Sequence, residues 1–179
     1  ARKSWFGYAS SPRCVQCARH PTKVMFCVGN ESDVVESRAE AAAHGDMFVT
    51  EDYGQNAFWQ DNSMKTLKCI SHAVRHYSFR FIVKADTDSW VYMDRLLDFF
   101  DSRSLWSKRR LYAGDFLVGG KDKPNVAIAD PVDKYYDPTY RGISGLNEYP
   151  RYAHGSGYIL GIDLAAYLAG QAEDTFEKF

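Results

Sequence analysis

Two carboxylates one residue apart, Asp86 and Asp88, close the run Phe79-Arg80-Phe81-Ile82-Val83-Lys84-Ala85-Asp86-Thr87-Asp88. The residues ahead of them are mostly apolar and strand-forming, the pattern of a strand buried on both faces. In open α/β sheets ligands gather beyond the carboxyl ends of the strands, which is where these acids fall. Acids this close repel, and each titrates high or stays solvated unless a cation sits between or beside them. A hard divalent ion, Mn2+ or Mg2+, answers that need, because it takes oxygen ligands and keeps positions open for a diphosphate. The chemistry that follows is orientation of phosphates and neutralisation of charge on a leaving group.

A second cluster, His154-Gly155-Ser156-Gly157, offers a tight turn that lets a ligand approach the backbone closely, with His154 as a loop-borne substrate contact. Other chemical readings fail on spacing. The segment Gly114 to Asp122 is one residue too long for a nucleotide-triphosphate loop and has Asp122 where the metal-binding Ser or Thr belongs, while Gly155-Ser156-Gly157 lacks the third glycine of a dinucleotide fingerprint. Cys14 and Cys17 form a C-x-x-C with His20 nearby, but Cys27 and Cys69 do not supply a second zinc pair, so a local disulfide or plain loop cysteines is the reading. Cys27 sits in an apolar run and reads as a small buried hydrophobe. His72 and His76 are four apart with no accompanying Glu, which reads as a helix surface face. Trp5, Trp59 and Trp90 could stack on sugar or uracil; burial is the reading for all but Trp59, whose loop is polar.

The elements that must position these groups alternate. Strands are expected over Lys23–Val28, Met47–Val49, Phe79–Ala85, Leu111–Phe116 and Gly157–Ile162. Helices are expected over Val34–Ala43, Met64–Tyr77, Val91–Phe100 and Leu164–Leu168, the first stopped by Gly45 and the last capped by Asp163. Residues 117–152, rich in Gly, Pro and Tyr, are left irregular, and a long loop of this kind is usually functional. Such alternation predicts an α/β fold, a mostly parallel sheet with helices on both faces.

The chain of 179 residues is long enough to bury a core, and 45% of it is hydrophobic. A net charge of −1 with one short basic run, Lys108-Arg109-Arg110, argues against general nucleic-acid binding. No apolar stretch approaches the roughly 20 residues of a membrane helix.

Five landmarks in order resemble the β-1,3-glycosyltransferases of the galactosyltransferase and fringe type, over essentially the whole chain. Ala1-Arg2-Lys3-Ser4-Trp5 is similar to that family's Arg-x-Thr-Trp, Gly45-Asp46-Met47 to its Gly-Asp-Ile, and Asn62-Ser63-Met64-Lys65-Thr66-Leu67 to its Asn-Leu-Thr-x-Lys-Thr. Val83-Lys84-Ala85-Asp86-Thr87-Asp88-Ser89 is similar to Leu-Lys-Ala-Asp-Asp-Asp-Ser, and Tyr149 to Leu160 to Tyr-Pro-x-Tyr-x-x-Gly-x-Gly-Tyr-Val-Leu. The wording around Leu111-Tyr112-Ala113-Gly114 leans toward the member that adds galactose to the proteoglycan linker.

The resemblance implies a single catalytic domain over residues 1–179, cut short at both ends, with a GT-A (Rossmann-like) fold. It implies a UDP-sugar donor, Mn2+ or Mg2+ at the D-x-D, and a glycan or glycoprotein acceptor. It also implies inverting transfer of galactose or N-acetylglucosamine into a β-1,3 linkage, and a Golgi-lumen domain tethered only by an N-terminal membrane anchor outside this chain. Asp88 would ligate the metal, with Asp86 on the ribose or the metal shell. Arg2, Asp46 and Lys65 would line the nucleotide pocket, and His154, Gly155, Ser156 and Gly157 would meet sugar and acceptor. The middle family Asp is Thr87 here. Glu173-Asp174-Thr175 comes too soon after Leu168 to match the family's Glu-Asp-Val, so the general base is expected beyond Phe179 and the catalytic residue stays unassigned. A truncated or non-catalytic nucleotide-sugar or glycan-binding domain is the rival reading, and a metal-dependent phosphatase or nuclease a third.

Overall fold

The structure, a computed structural model, describes residues 5–9, 11–29, 34–50, 59–117, 126–133, 136, 140 and 148–176, with the backbone alone at 34, 35, 59–61, 117 and 172–176. In chain order the elements are α1 (Trp5–Ala9), α2 (Val15–Arg19), β1 (Phe26–Val28), α3 (Val34–His44), β2 (Met47–Val49), α4 (Trp59–His76), β3 (Phe81–Ala85), α5 (Met93–Ser102), a 3-10 turn (Leu105–Ser107), β4 (Tyr112–Leu117), β5 (Tyr152–Gly161) and α6 (Ile162–Phe176). Among the described residues no helix is long and apolar enough to cross a membrane.

The expected alternation is present, and the expected single, mostly parallel sheet is corrected. β1 and β2 pair in parallel, Cys27 opposite Phe48, joined by α3 as a crossover. The second sheet has the order β3-β5-β4 and both of its pairings are antiparallel. β3 and β4 each oppose β5, so they run parallel to one another with α5 in the connection between them. This is a parallel unit split by a late strand. Sequence alternation reports the crossover but not the insertion of β5, a strand from later in the chain, which is why the pattern read as mostly parallel.

Helices cover both faces of this second sheet, as expected. On one side Ile82 and Leu160, opposite one another in register, pack with Ile70 and Val74 of α4 and Ala165 and Leu168 of α6. On the other, Ala85 packs beneath a cluster of Trp5, Ala9, Cys14, Cys17, Met93 and Leu97, while the Phe81 ring meets Phe100 edge-on at 4.6 Å. The stripe on α5 that buries Met93, Leu97 and Phe100 has the three-and-four spacing of a helix with one apolar face. Gly161 ends β5 where a Cβ would stand 2.2 Å from the Arg109 carbonyl oxygen, so only glycine lets the chain turn into α6 there. Asp163, expected as the cap, lies inside the first turn of α6 and pairs with Arg109 at 2.7 Å.

All four cysteines are bridged. Cys14–Cys17 is the local disulfide that the spacing suggested, and the Cys14 sulfur accepts from the Cys17 amide at the start of α2. Cys27 is not a free buried hydrophobe: it joins Cys69, tying β1 to α4 across 42 residues with Cα atoms 6.1 Å apart. A small hydrophobe and a half-cystine suit the same apolar strand position, so sequence alone could not separate them. His72 also departs from the surface reading. It stacks on Phe48 of β2 at 4.1 Å and is half-buried, whereas His76 is exposed.

The chain-entropy model gives the Cys27–Cys69 bridge about 4 kcal/mol for a loop of this length. Replacing both cysteines by serine is expected to lower unfolding stability by about that amount in a urea titration, whereas replacing Cys14 and Cys17 costs less because their loop is short. Burial first, and then the neighbouring His76, hold the His72 pKa below the ordinary 6.5. The unfolded chain therefore takes up that proton at higher pH than the folded chain, so this contribution is complete above about pH 6.5 and is lost as pH falls through that range. His72→Phe keeps a ring against Phe48 and removes the titration; thermal melts from pH 7 to pH 5 should show a shallower loss of stability than the parent.

Candidate functional site

The acid pair leaves β3 on a hydrogen-bonded turn. The Ser89 amide donates to the Asp86 carbonyl at 3.1 Å, which puts Asp86 first and Asp88 third of four residues. Asp88 is exposed, and Asp86 is partly covered. The turn is held from β5 through one atom. The Ser156 carbonyl oxygen accepts from the Asp86 amide at 3.2 Å and from the Ser89 hydroxyl at 3.0 Å, extending the β3–β5 ladder one step past the Ala85–Gly157 pair. From below, the buried Trp5 indole of α1 donates to the Ser89 carbonyl at 3.0 Å. The sequence places the acids at a strand end but shows neither the turn nor these three supports, and nothing local points to Trp5.

The glycine cluster, read as a turn before a strand, lies inside β5. Gly114 of β4 faces Tyr158 and Phe116 faces Ala153, so the single residue Asp115 spans the stretch His154 to Gly157. The surplus bulges out of the sheet at the end where the acids emerge. Gly114, part of the rejected phosphate-loop reading, has a packing role: a Cβ there would stand 2.8 Å from Ala153 Cβ and 3.1 Å from the Gly157 carbonyl. Gly155 is different, because a Cβ would meet nothing within 4 Å, and Gly157 would meet only the Lys84 carbonyl at 3.7 Å. Neither has a left-handed φ. The fold itself does not require glycine at these two positions.

Lys84 closes the arrangement. It lies opposite Tyr158, and its ammonium binds both the Asp86 carboxylate and the Gly155 carbonyl. The repulsion inferred between the two acids is thus already relieved at Asp86, leaving Asp88 as the exposed carboxylate of the pair. Beneath them Tyr158 has its pKa pushed up to about 12, by burial first and then by Tyr112 and the Asp86 charge, so it stays a neutral phenol at physiological pH. His154 Nδ1 accepts the Ser156 amide at 3.2 Å and lies 2.9 Å from the Ser156 hydroxyl. An acceptor Nδ1 leaves the proton of the neutral ring on Nε2.

Asp86, Asp88, His154, Gly155, Ser156 and Gly157 therefore lie together at one end of the second sheet. Asp46 stands at the entry to β2, in the other sheet, where its carbonyl accepts the Phe26 amide at 2.7 Å. Lys65 is half-buried on α4, and Arg2 lies outside the described residues. So do the side chains of Trp59, Glu173 and Asp174, although Trp59 opens α4 and is not in the expected polar loop, and the last two are helical in α6. Among the described residues no group of three or more His, Cys, Asp or Glu side chains is arranged to hold a metal ion. The oxygen donors of Asp86 and Asp88 suit a hard cation that keeps most of its positions for water and phosphate.

Known proteins resemble this chain along most of its length. Beta-1,3-galactosyltransferase 6 of Mus musculus is 30% identical over 72% of this chain and 36% of its own length. A probable beta-1,3-galactosyltransferase 13 of Arabidopsis thaliana is 28% identical over 87% of the chain and 43% of its own. A UDP-GlcNAc:betaGal beta-1,3-N-acetylglucosaminyltransferase 9 of Bos taurus is 35% identical over 74% and 30% respectively. The chain thus spans less than half the length of these relatives. The Galactosyltransferase family model matches residues 1–177, and the chain belongs to that family.

Proposed function

We propose that this chain is the catalytic domain of a UDP-sugar-dependent β-1,3-glycosyltransferase of GT-A type, transferring galactose or N-acetylglucosamine to a glycan hydroxyl with inversion. The observation that carries the reading is the Ser156 carbonyl bond to both ends of the acid turn, which makes the carboxylates and the glycine bulge one unit. Relatives named as beta-1,3-galactosyl- and N-acetylglucosaminyltransferases support the reaction class.

Asp88, with Asp86 behind it, would hold Mn2+ or Mg2+; when bound, that ion neutralises the diphosphate of the donor and of the leaving UDP. The chain's own groups do the rest. Gly155 and Gly157 leave room for a sugar against the backbone, and the His154 Nε2–H is free of its ring's internal contacts to donate to a hydroxyl. Lys84 keeps the bulge and the acid turn in register. The incoming hydroxyl needs a carboxylate base on the face opposite UDP, a role we assign to neither Glu173 nor Asp174. The two disulfides support an oxidising compartment, and a Golgi-lumen enzyme on an N-terminal anchor fits that chemistry.

The deciding experiment is a screen of UDP-sugars for Mn2+-dependent binding and for transfer to glycan acceptors with release of UDP. Binding without transfer by the full-length protein would favour a nucleotide-sugar-binding domain, and release of free phosphate a phosphatase. Asp88→Asn is expected to weaken Mn2+-dependent UDP binding by about 100-fold or more in calorimetry, and an unchanged affinity would remove the metal from this turn. Glu173→Gln with Asp174→Asn, in the full-length protein, is expected to leave kcat within about threefold; a loss approaching the 10²–10⁴-fold typical of general acid–base catalysis would put the base on α6.

A further inference from the structure

The residues just past the acid turn are the least expected part of the surface. Trp90 is 58% exposed and Tyr92 62% exposed, although large aromatic side chains are highly buried on average. Their rings lie 6.4 Å apart, inclined at 58°, and the Arg95 guanidinium sits 5.1 Å over the Tyr92 ring. The three form an amphipathic ledge at the start of α5, whose first turn is fixed by the Leu96 amide donating to the Tyr92 carbonyl at 2.9 Å. The ledge is also fixed from the other side. Ser89, immediately before Trp90, is bonded to the Ser156 carbonyl of the bulge and to the Trp5 indole below. Trp90 therefore follows directly on a residue tethered to the glycine bulge.

We infer that Trp90, flanked by Tyr92 and Arg95, is an acceptor-binding platform on which a hexopyranose ring of the acceptor glycan stacks. This rests on the glycosyltransferase reading. One face of a β-linked pyranose is lined with C–H bonds, which suits an indole held open to solvent, while the Arg95 guanidinium and the Tyr92 hydroxyl suit the hydroxyls at the ring edge. The Ser89 hydroxyl bond ties the residue before Trp90 to the glycine cluster, while Asp46 and Lys65, which the resemblance assigns to the nucleotide, stand on other elements. Asp86 and Asp88 of the same turn are the donor-side groups nearest in the chain. A stacked uracil is the competing occupant.

The test uses the full-length protein and variants Trp90→Ala and Trp90→Phe. Saturation-transfer NMR with methyl β-glycosides of galactose, glucose and N-acetylglucosamine reads acceptor binding without donor, and initial rates give KM for acceptor and donor separately. Trp90→Ala should raise the acceptor KM about tenfold and abolish saturation transfer, with donor KM unchanged, while Trp90→Phe stays within about threefold of the parent. A rise in donor KM instead, or parental acceptor binding in a folded Trp90→Ala protein, overturns the assignment. A parent that binds a glycoside but transfers no sugar separates failure of the enzymatic reading from failure of the platform.

Discussion

One carbonyl oxygen, that of Ser156, sets the geometry of the site. By accepting from both the Asp86 amide and the Ser89 hydroxyl it fixes the two ends of the acid turn against the middle of the bulge in β5. A two-acid turn on its own is a mobile and repulsive thing. Here it is clamped to the last pair of a sheet whose faces are both covered by helices, so the carboxylates are positioned by the core rather than by their loop. Gly114 belongs to the same constraint, because any side chain there would push β4 off the strand that carries the bulge.

The core reaches the site by two routes. Through α6 and α4 it supports β5 from one face, with Leu160 and Ala165 buried between them. Through α1 it supports the turn directly, since Trp5 is buried among Met93 and Leu97 and spends its one donor on Ser89. Buried indoles generally find such a partner. Of the disulfides, Cys14–Cys17 closes the first turn of α2 within the cluster that buries Trp5, and Cys27–Cys69 joins β1 to α4.

Much of the local structure was legible because its signals are local. The limits of β2 and the start of α3 agree with the reading, and Asp86 and Asp88 lie where a strand-end rule puts them. What was not legible is long-range. The antiparallel course of β5 between β3 and β4 depends on a segment returning from residue 152, and no periodicity encodes which neighbours a strand will choose. For the same reason the glycine cluster read as a turn: a bulge is defined by its partner strands, and only the register against Gly114 and Phe116 reveals it. The pairing of Cys27 with Cys69 and the exposure of Trp90 are likewise properties of the packed chain.

Lys84 has a consequence beyond relieving repulsion. Its ammonium is shared between the Asp86 carboxylate and the Gly155 carbonyl, so the acid turn and the bulge compete for one positive charge. A cation that drew Asp86 away would strengthen the lysine's remaining bond to the bulge, and a ligand that reshaped the bulge would alter the charge felt at Asp86. Such coupling is reciprocal by thermodynamic necessity. Under the proposed function, occupancy on the phosphate side and the contour offered to an incoming sugar would be two readings of a single equilibrium, poised by one side chain on β3.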